Sequence, residues 1–370
     1  MKYCYIYTGY MPLGRHYRRA MTRTQPVQAT AEADRPAASM GTSYARRDLY
    51  EERQTVEAGV GAFATAAIPS GTRIFCEESL VMMTEDATQI ELYRAVASLE
   101  EGSRAAYWSL AASAKPGKDV SWIDALRQCC ERDGESADSF NALVEACERA
   151  WSIFETNRFT CKASTSPTSL TTLGVFPAAA RLNHSCAPNV FHRYNPLIQR
   201  LTVHALRDIA PGEELLTSYI DICHPTPARR SLLRHWGFKC NCTACTNPDV
   251  ESDARRKKLG ELFLRITNRE RKRARSAGGW GPKDYEASIK LAMRTIRLLQ
   301  KEGMAETDTL GVICLIGAQL ASLAGGKWEE QAGEWARTAV AVDRKCVGED
   351  SMEYLRAAEV LEATRPRPRL

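Results

Sequence analysis

No stretch of this chain stays apolar for the eighteen or so residues that a membrane-spanning helix needs, so no transmembrane helix is expected. Charge of one sign is not in marked excess. Lys and Arg number 50 against 45 Asp and Glu, and the resulting +5 on 370 residues permits an acidic partner without arguing for nucleic acid. The even, closely spaced cysteine framework of a small secreted protein is missing too. Thirteen cysteines is an odd number, scattered along a long chain, so a reducing, intracellular compartment is expected. A third glycine is absent from Gly59-Val60-Gly61-Ala62-Phe63-Ala64, where Ala64 stands in its place ahead of a strand-like run. That excludes the turn of a dinucleotide-binding fold. Acidic residues are absent between Met1 and Ala31, which hold Lys2, Arg15, Arg18, Arg19 and Arg23. Such a segment fits a transit peptide or a disordered tail. Ala, Thr, Pro and Ser dominate residues 21–45, so 1–45 reads as a disordered basic tail.

What is present suggests small sheets and many helices. Ala67-Ile68-Pro69-Ser70-Gly71-Thr72-Arg73-Ile74-Phe75 and Asp208-Ile209-Ala210-Pro211-Gly212-Glu213-Glu214-Leu215-Leu216 echo each other, each placing a Pro/Gly turn before an apolar run. Phe191–Tyr194 and Leu201–Ala205 flank Asn195-Pro196, a hairpin signal. Residues 80–156 read as a helical insertion. There Phe140, Leu143, Val144, Cys147, Trp151 and Phe154 form one stripe at helical spacing, with Asp138 as the expected cap. From Ser252 the pattern is helical. Leu259, Leu262, Phe263 and Ile266 make one stripe, Tyr285, Ile289, Ala292, Ile296 and Leu299 a second, and Trp328, Ala332, Trp335, Ala339 and Val342 a third. Breaks at Gly278-Gly279 and Gly325-Gly326 suggest an antiparallel array of tetratricopeptide shape, without that repeat's full signature. The basic run Arg255-Arg256-Lys257-Lys258 reads as a solvated helical face, or as an import signal or nucleic-acid contact.

Chemistry concentrates in two places. Cys240-Asn241-Cys242-Thr243-Ala244-Cys245 offers three thiolates, one short of a closed tetrahedral zinc site. Asn183-His184-Ser185-Cys186-Ala187-Pro188-Asn189 supplies a lone cysteine in a segment rich in hydrogen-bonding groups. One zinc held by Cys186, Cys240, Cys242 and Cys245 would draw a C-terminal flap onto Asn183-His184. Cys161 and Cys223 lack ligand spacing and are left out.

In chain order, Gly59-Val60-Gly61-Ala62-Phe63-Ala64, Asn157-Arg158-Phe159, Asn183–Asn189, Glu213-Glu214-Leu215-Leu216-Thr217-Ser218-Tyr219 and the three clustered cysteines resemble a SET-domain protein lysine methyltransferase. The long insertion and helical C-terminus resemble the SET-and-MYND branch. That branch carries a MYND zinc module in the insertion, whereas residues 80–156 hold only Cys129, Cys130 and Cys147 and no histidine, so no MYND module is expected. The implied fold is α+β: a SET domain over 46–222, a post-SET zinc segment over 223–250 and a helical C-terminal domain over 251–370.

The resemblance implies S-adenosylmethionine as methyl donor and a protein lysine, on a histone or another protein, as acceptor. It assigns Tyr219 to catalysis, Gly59, Gly61, Phe63, Asn157, Asn183, His184, Tyr219 and Phe238 to the cofactor, and Trp236 to the lysine channel. Trp236 stands where relatives often have tyrosine, which leaves the methylation state open. Lysine has a solution pKa near 10.4, so a narrow apolar channel beside a sulfonium is needed to favour its neutral form. No acid–base triad is required, and none stands out. A monomer is expected, nuclear or cytoplasmic. Two rival readings remain: a silent SET-like scaffold, and an enzyme acting on a small-molecule amine.

Overall fold

The computed structural model describes residues 44–55, 59–112, 121–133, 136–161, 171–275 and 280–365. Five short strands come first: β1 (Tyr44–Ala45), β2 (Tyr50–Thr55), β3 (Gly59–Ala64), β4 (Arg73–Glu77) and β5 (Val81–Thr84). Helices α1 (Gln89–Ala97), α2 (Glu101–Trp108), α3 (Ser121–Asp133) and α4 (Ala137–Asn157) follow. The chain returns to strands with β6 (Arg158–Cys161), β7 (Thr172–Val175), a short α5 (Pro177–Ala180), β8 (Asn183–His184), β9 (Val190–Asn195), β10 (Arg200–Ala205) and β11 (Leu216–Thr217). Helices α6 (Thr226–Leu233), α7 (Thr243–Thr246), α8 (Val250–Arg275), α9 (Pro282–Lys301), α10 (Asp308–Ala324), α11 (Glu329–Val347) and α12 (Met352–Ala363) complete it.

The strands form four small sheets: β1-β4-β10-β9, β5-β7-β6, the β2-β3 hairpin and the β8-β11 pair. The expected hairpin is β9-β10, closed at Asn195↔Arg200, with Asn195 Oδ1 accepting from Leu197 N at 3.0 Å. The two echoing turns meet each other. Ile68 and Ile209 exchange backbone hydrogen bonds at 3.0 and 2.9 Å, and Gly71 and Gly212 take φ of 84° and 82° at matching turn positions. A side chain at either glycine would strain the left-handed backbone. Ile68, Ile74, Phe75, Phe159, Phe176 and Val203 lie in the core under these sheets.

Three sequence expectations need correction. Tyr44 and Ala45, assigned to a disordered tail, pair with Cys76 and Phe75 of β4; residues 1–43 lie outside the described set. The insertion at 80–156 opens with β5, because Val81–Thr84 pair with β7 some ninety residues later. Ser136, not Asp138, caps α4, its hydroxyl accepting from Ser139 N at 3.1 Å. The stripe from Phe140 to Phe154 does face inward, with Cys147 and Phe154 buried.

All three C-terminal stripes enter one apolar core with Leu310, Ile313 and Cys314. Gly325 and Gly326 break the chain between α10 and α11 with positive φ, while Gly278 and Gly279 lie outside the described residues. This helical core is fastened to the sheets by charge. Arg193 of β9 meets Asp308 at 2.9 Å and Glu353 at 3.6 Å. Arg73 of β4 donates to His204 Nε2 at 3.0 Å and pairs with Asp350, while Asn195 Nδ2 donates to Asp350 O at 3.1 Å.

Candidate functional site

The site starts from the β8-β11 pair, whose parallel register sets Asn183 against Leu216 and His184 against Thr217. Asn189, at the end of the same motif, locks that register. Its Nδ2 donates to Glu213 Oε1 and Glu214 O at 2.9 and 2.8 Å, and its Oδ1 accepts from Leu216 N at 2.7 Å. Asn189 is 1% exposed, so these bonds satisfy an amide that would be costly to bury alone.

Tyr219 follows directly and is buried. Its hydroxyl donates to Leu182 O at 2.7 Å, and its backbone N–H donates to His184 Nδ1 at 3.0 Å. Burial raises the phenol's pKa well above the usual range, with Glu214 adding to the effect, so Tyr219 keeps its proton and acts as a donor. The His184 ring is spoken for at both nitrogens. Because Nδ1 accepts from Tyr219, the proton sits on Nε2, which lies 3.3 Å from Cys186 Sγ. Burial pushes this imidazole down to about 4, so it is neutral at physiological pH. The ring is therefore a strut between Tyr219 and Cys186, and what His184 offers a ligand is its backbone.

Three aromatics gather on Tyr219. Ring centroids lie 5.3 Å away for His184, 5.2 Å for Trp236 and 6.3 Å for Phe238. Trp236 is fixed by its indole N–H, which donates to Thr156 O at 3.1 Å, and Phe238 is half-buried. Such walls exclude water and favour a sulfonium by cation–π attraction.

The cysteines expected to hold zinc come together. The Sγ atoms of Cys186, Cys240, Cys242 and Cys245 all lie within 4.8 Å of one another, with Cys186 and Cys245 at 3.6 Å. Tetrahedral zinc with Zn–S near 2.3 Å sets its sulfurs about 3.8 Å apart, so the donor set and spacing fit one structural zinc. The site joins the short helix α7 to the Asn183–Asn189 segment and so holds Phe238 over Tyr219.

Gly61 marks the other wall. A Cβ there would come within 2.4 Å of Glu214 Oε1, 2.9 Å of Asn183 Nδ2 and 3.1 Å of the Phe63 ring, and Asn183 Nδ2 donates to Glu214 Oε1 at 2.8 Å. Strand β3 is held here by Ala64 N donating to Glu213 O and Leu215 N donating to Ala62 O, at 2.8 and 2.7 Å. Gly61, Phe63 and Asn183 thus share one cradle, in which a side chain at position 61 would displace the Asn183 amide or the Glu214 carboxylate. Gly59 has φ of 72° and nothing within 4 Å of an added Cβ, so its constraint is the backbone itself. Asn157 is set apart. It ends α4, is 3% exposed, and gives both amide protons to Ala111 O and Ile153 O at 2.7 Å each. Glu214, Thr156 and Asn189 were missed as site residues, although two of them lie inside motifs the sequence displayed.

Residues 59–220 match the SET domain family. The chain is 32% identical over 217 residues to histone-lysine N-methyltransferase set5 of Schizosaccharomyces pombe, covering 57% of this chain and 56% of that protein. It is 45% identical over 78 residues to human N-lysine methyltransferase SMYD2, covering 21% of this chain and 18% of that one. The match thus spans about half of the first relative and under a fifth of the second. A solved SET domain of LSMT bound to lysine and AdoHcy aligns over 87% of this chain and 85% of its own, at 12% identity and a TM-score of 0.35, too weak a likeness to argue from.

Proposed function

Because the chain carries a SET domain over residues 59–220, we propose that it moves a methyl group from S-adenosylmethionine to the ε-amine of a protein lysine, on a histone or another protein. The observation that carries this reading is the convergence of Tyr219, the Gly61–Asn183 cradle and a zinc-fitting cysteine cluster on one buried spot. The names of set5 and SMYD2 support the same acceptor class. Gly61, Phe63, Asn183, the His184 backbone and Phe238 would hold the donor; Gly59 and Asn157 would act through the backbone around them. When bound, the donor supplies an electrophilic methyl on a sulfonium sulfur.

The acceptor nitrogen must arrive uncharged. Tyr219, Trp236 and Phe238 desolvate it, which favours loss of its proton to water before transfer. With the donor in place, its methyl would pass to the amine nitrogen, the S–C bond breaking as the N–C bond forms. Tyr219 orients the amine through its hydroxyl and needs no base beside it. Holding the two reactants in line is worth up to about 7–11 kcal/mol in well-oriented systems. A small pocket lined by Thr217, Ser218, Ile220, Asp221, Asp308 and Thr309 lies between the end of β11 and the start of α10. Work inside the cell, nuclear or cytoplasmic, and as a monomer belongs to the same proposal.

Intact Tyr219 and Asn183 weigh against a silent scaffold. The test is transfer of labelled methyl from S-adenosylmethionine into a cell lysate, with the labelled residue mapped. Label on protein lysine is expected. Label confined to small molecules, or none above a Tyr219→Phe control, would contradict the proposal.

A further inference from the structure

Arg229 is among the largest fully buried side chains in the protein, at 1% exposure, yet it belongs to none of the motifs above. A guanidinium taken out of water needs an anionic partner and filled hydrogen bonds. Its Nη1 donates to His224 O at 2.6 Å; its Nη2 donates to Thr226 Oγ1 at 2.9 Å and Ala244 O at 3.0 Å. Among the described residues, Nε has no hydrogen-bond partner. Among the described residues, the carboxylate paired with the guanidinium is Asp253, at 3.7 Å, which already accepts from Thr226 N and Oγ1 through the same oxygen, at 2.8 and 2.9 Å. That is a weak counter-ion for a buried cation.

The missing negative charge lies on the other side. Nη2 sits 3.9 Å from Cys245 Sγ, and Cys186 also lies within reach of the guanidinium charge. Four thiolates around one zinc carry a net charge of −2, and Cys186, Cys240 and Cys245 are exposed by only 1%, 5% and 0%. A buried dianion and a buried cation each lack a full partner, and they face each other.

We propose that Arg229 is a positioning residue for the zinc site: it supplies half of the counter-charge to the metal–thiolate cluster and, by sharing the Nη2 proton given to Ala244 O, makes a long three-centre donation to Cys245 at 3.9 Å. His184, with Nε2 at 3.3 Å from Cys186 Sγ, serves another sulfur of the cluster. Through Thr226 and Asp253, Arg229 also ties the cluster to the first turn of α8, so that metal, flap and helical array meet at one guanidinium. The inference rests on zinc occupying the four cysteines and does not depend on methyl transfer.

The test follows the metal. In the zinc-loaded full chain, Arg229→Met should release zinc to a colorimetric chelator roughly 10–100-fold faster or more completely, as loss of outer-shell partners does elsewhere. Arg229→Lys keeps the charge but loses the planar fork of donors, and should fall between. In the cobalt-substituted proteins, both variants should move the thiolate-to-metal charge-transfer band to lower energy, because a sulfur that loses a hydrogen bond becomes a better electron donor. Asp253→Asn loosens the same junction without touching a thiolate and should leave that band in place. An unshifted band with wild-type zinc release in Arg229→Lys overturns the proposal, as does an equal shift in Asp253→Asn. Should Arg229→Met fail to fold, the other two variants still decide it.

Discussion

Replacing Gly61 by alanine tests the proposed cofactor wall with the smallest possible change. An added Cβ would stand 2.4 Å from Glu214 Oε1 and 2.9 Å from Asn183 Nδ2, while those two atoms are themselves bonded at 2.8 Å. One of them must move. Both are ends of side chains whose backbones are held in place, Asn183 by the β8-β11 register and Glu214 by Asn189 and the bridge to Phe63, so the added methyl breaks the bond between them and swings one out of the cradle. Overpacking of this kind costs about 1–3 kcal/mol. If the whole cost falls on the Asn183 side, S-adenosylmethionine should bind roughly 5–150-fold more weakly, since about 1.4 kcal/mol is tenfold. Calorimetric titration of cofactor into Gly61→Ala, beside thermal melts without cofactor, separates site from fold. A cofactor Kd within twofold of wild type, with a melting point lowered by several degrees, would refute the reasoning: the glycine would then serve packing alone.

Three further outcomes follow from the same geometry. Tyr219→Phe removes the donor to Leu182 O and should cut single-turnover methyl transfer by about 100–1,000-fold, with cofactor affinity nearly unchanged; wild-type turnover would sink the assignment. Cys242→Ser should lose zinc and weaken cofactor binding together, because the flap carrying Phe238 comes loose; metal analysis and cofactor titration showing only one of the two losses would break the coupling. Asp343, buried among Asp308, Glu353 and Arg193, is pushed up to about 8 from 3.8, chiefly by burial and then by the two neighbouring carboxylates. The folded state therefore holds a proton that the unfolded state gives up, so stability should decline as pH rises from about 4 through 8, by at most about 1.4 kcal/mol per pH unit. Asp343→Asn should flatten that decline, and denaturation curves with the wild-type slope would contradict it.

Legibility in the sequence tracks how local each signal is. Asn195-Pro196 announces the β9-β10 hairpin because the turn and both strands lie within sixteen residues. The Pro/Gly turns at 69–71 and 211–212 were equally plain, but their pairing across about 140 residues was not, since nothing in either segment names its partner. Strand β5 was absorbed into the helical insertion for the same reason: Val81–Thr84 finds β7 only in three dimensions. Ligand spacing made the three clustered cysteines readable, and Cys186 stood out by its motif. Arg229 escaped notice because an arginine in Ala228-Arg229-Arg230-Ser231 reads as the solvated face of a helix, and only tertiary packing turns it toward sulfur. His184 was read as a site residue from its motif, whereas the use of its ring as a strut depends on Tyr219 returning beside it thirty-five residues later.

The most direct measurement is transfer of isotopically labelled methyl from S-adenosylmethionine by the zinc-loaded chain into lysine-containing protein, with the product mapped by mass spectrometry. Label on a lysine ε-nitrogen, lost in Tyr219→Phe, is the predicted result. Cofactor binding without any labelled lysine, or label equally strong in the variant, would contradict the account.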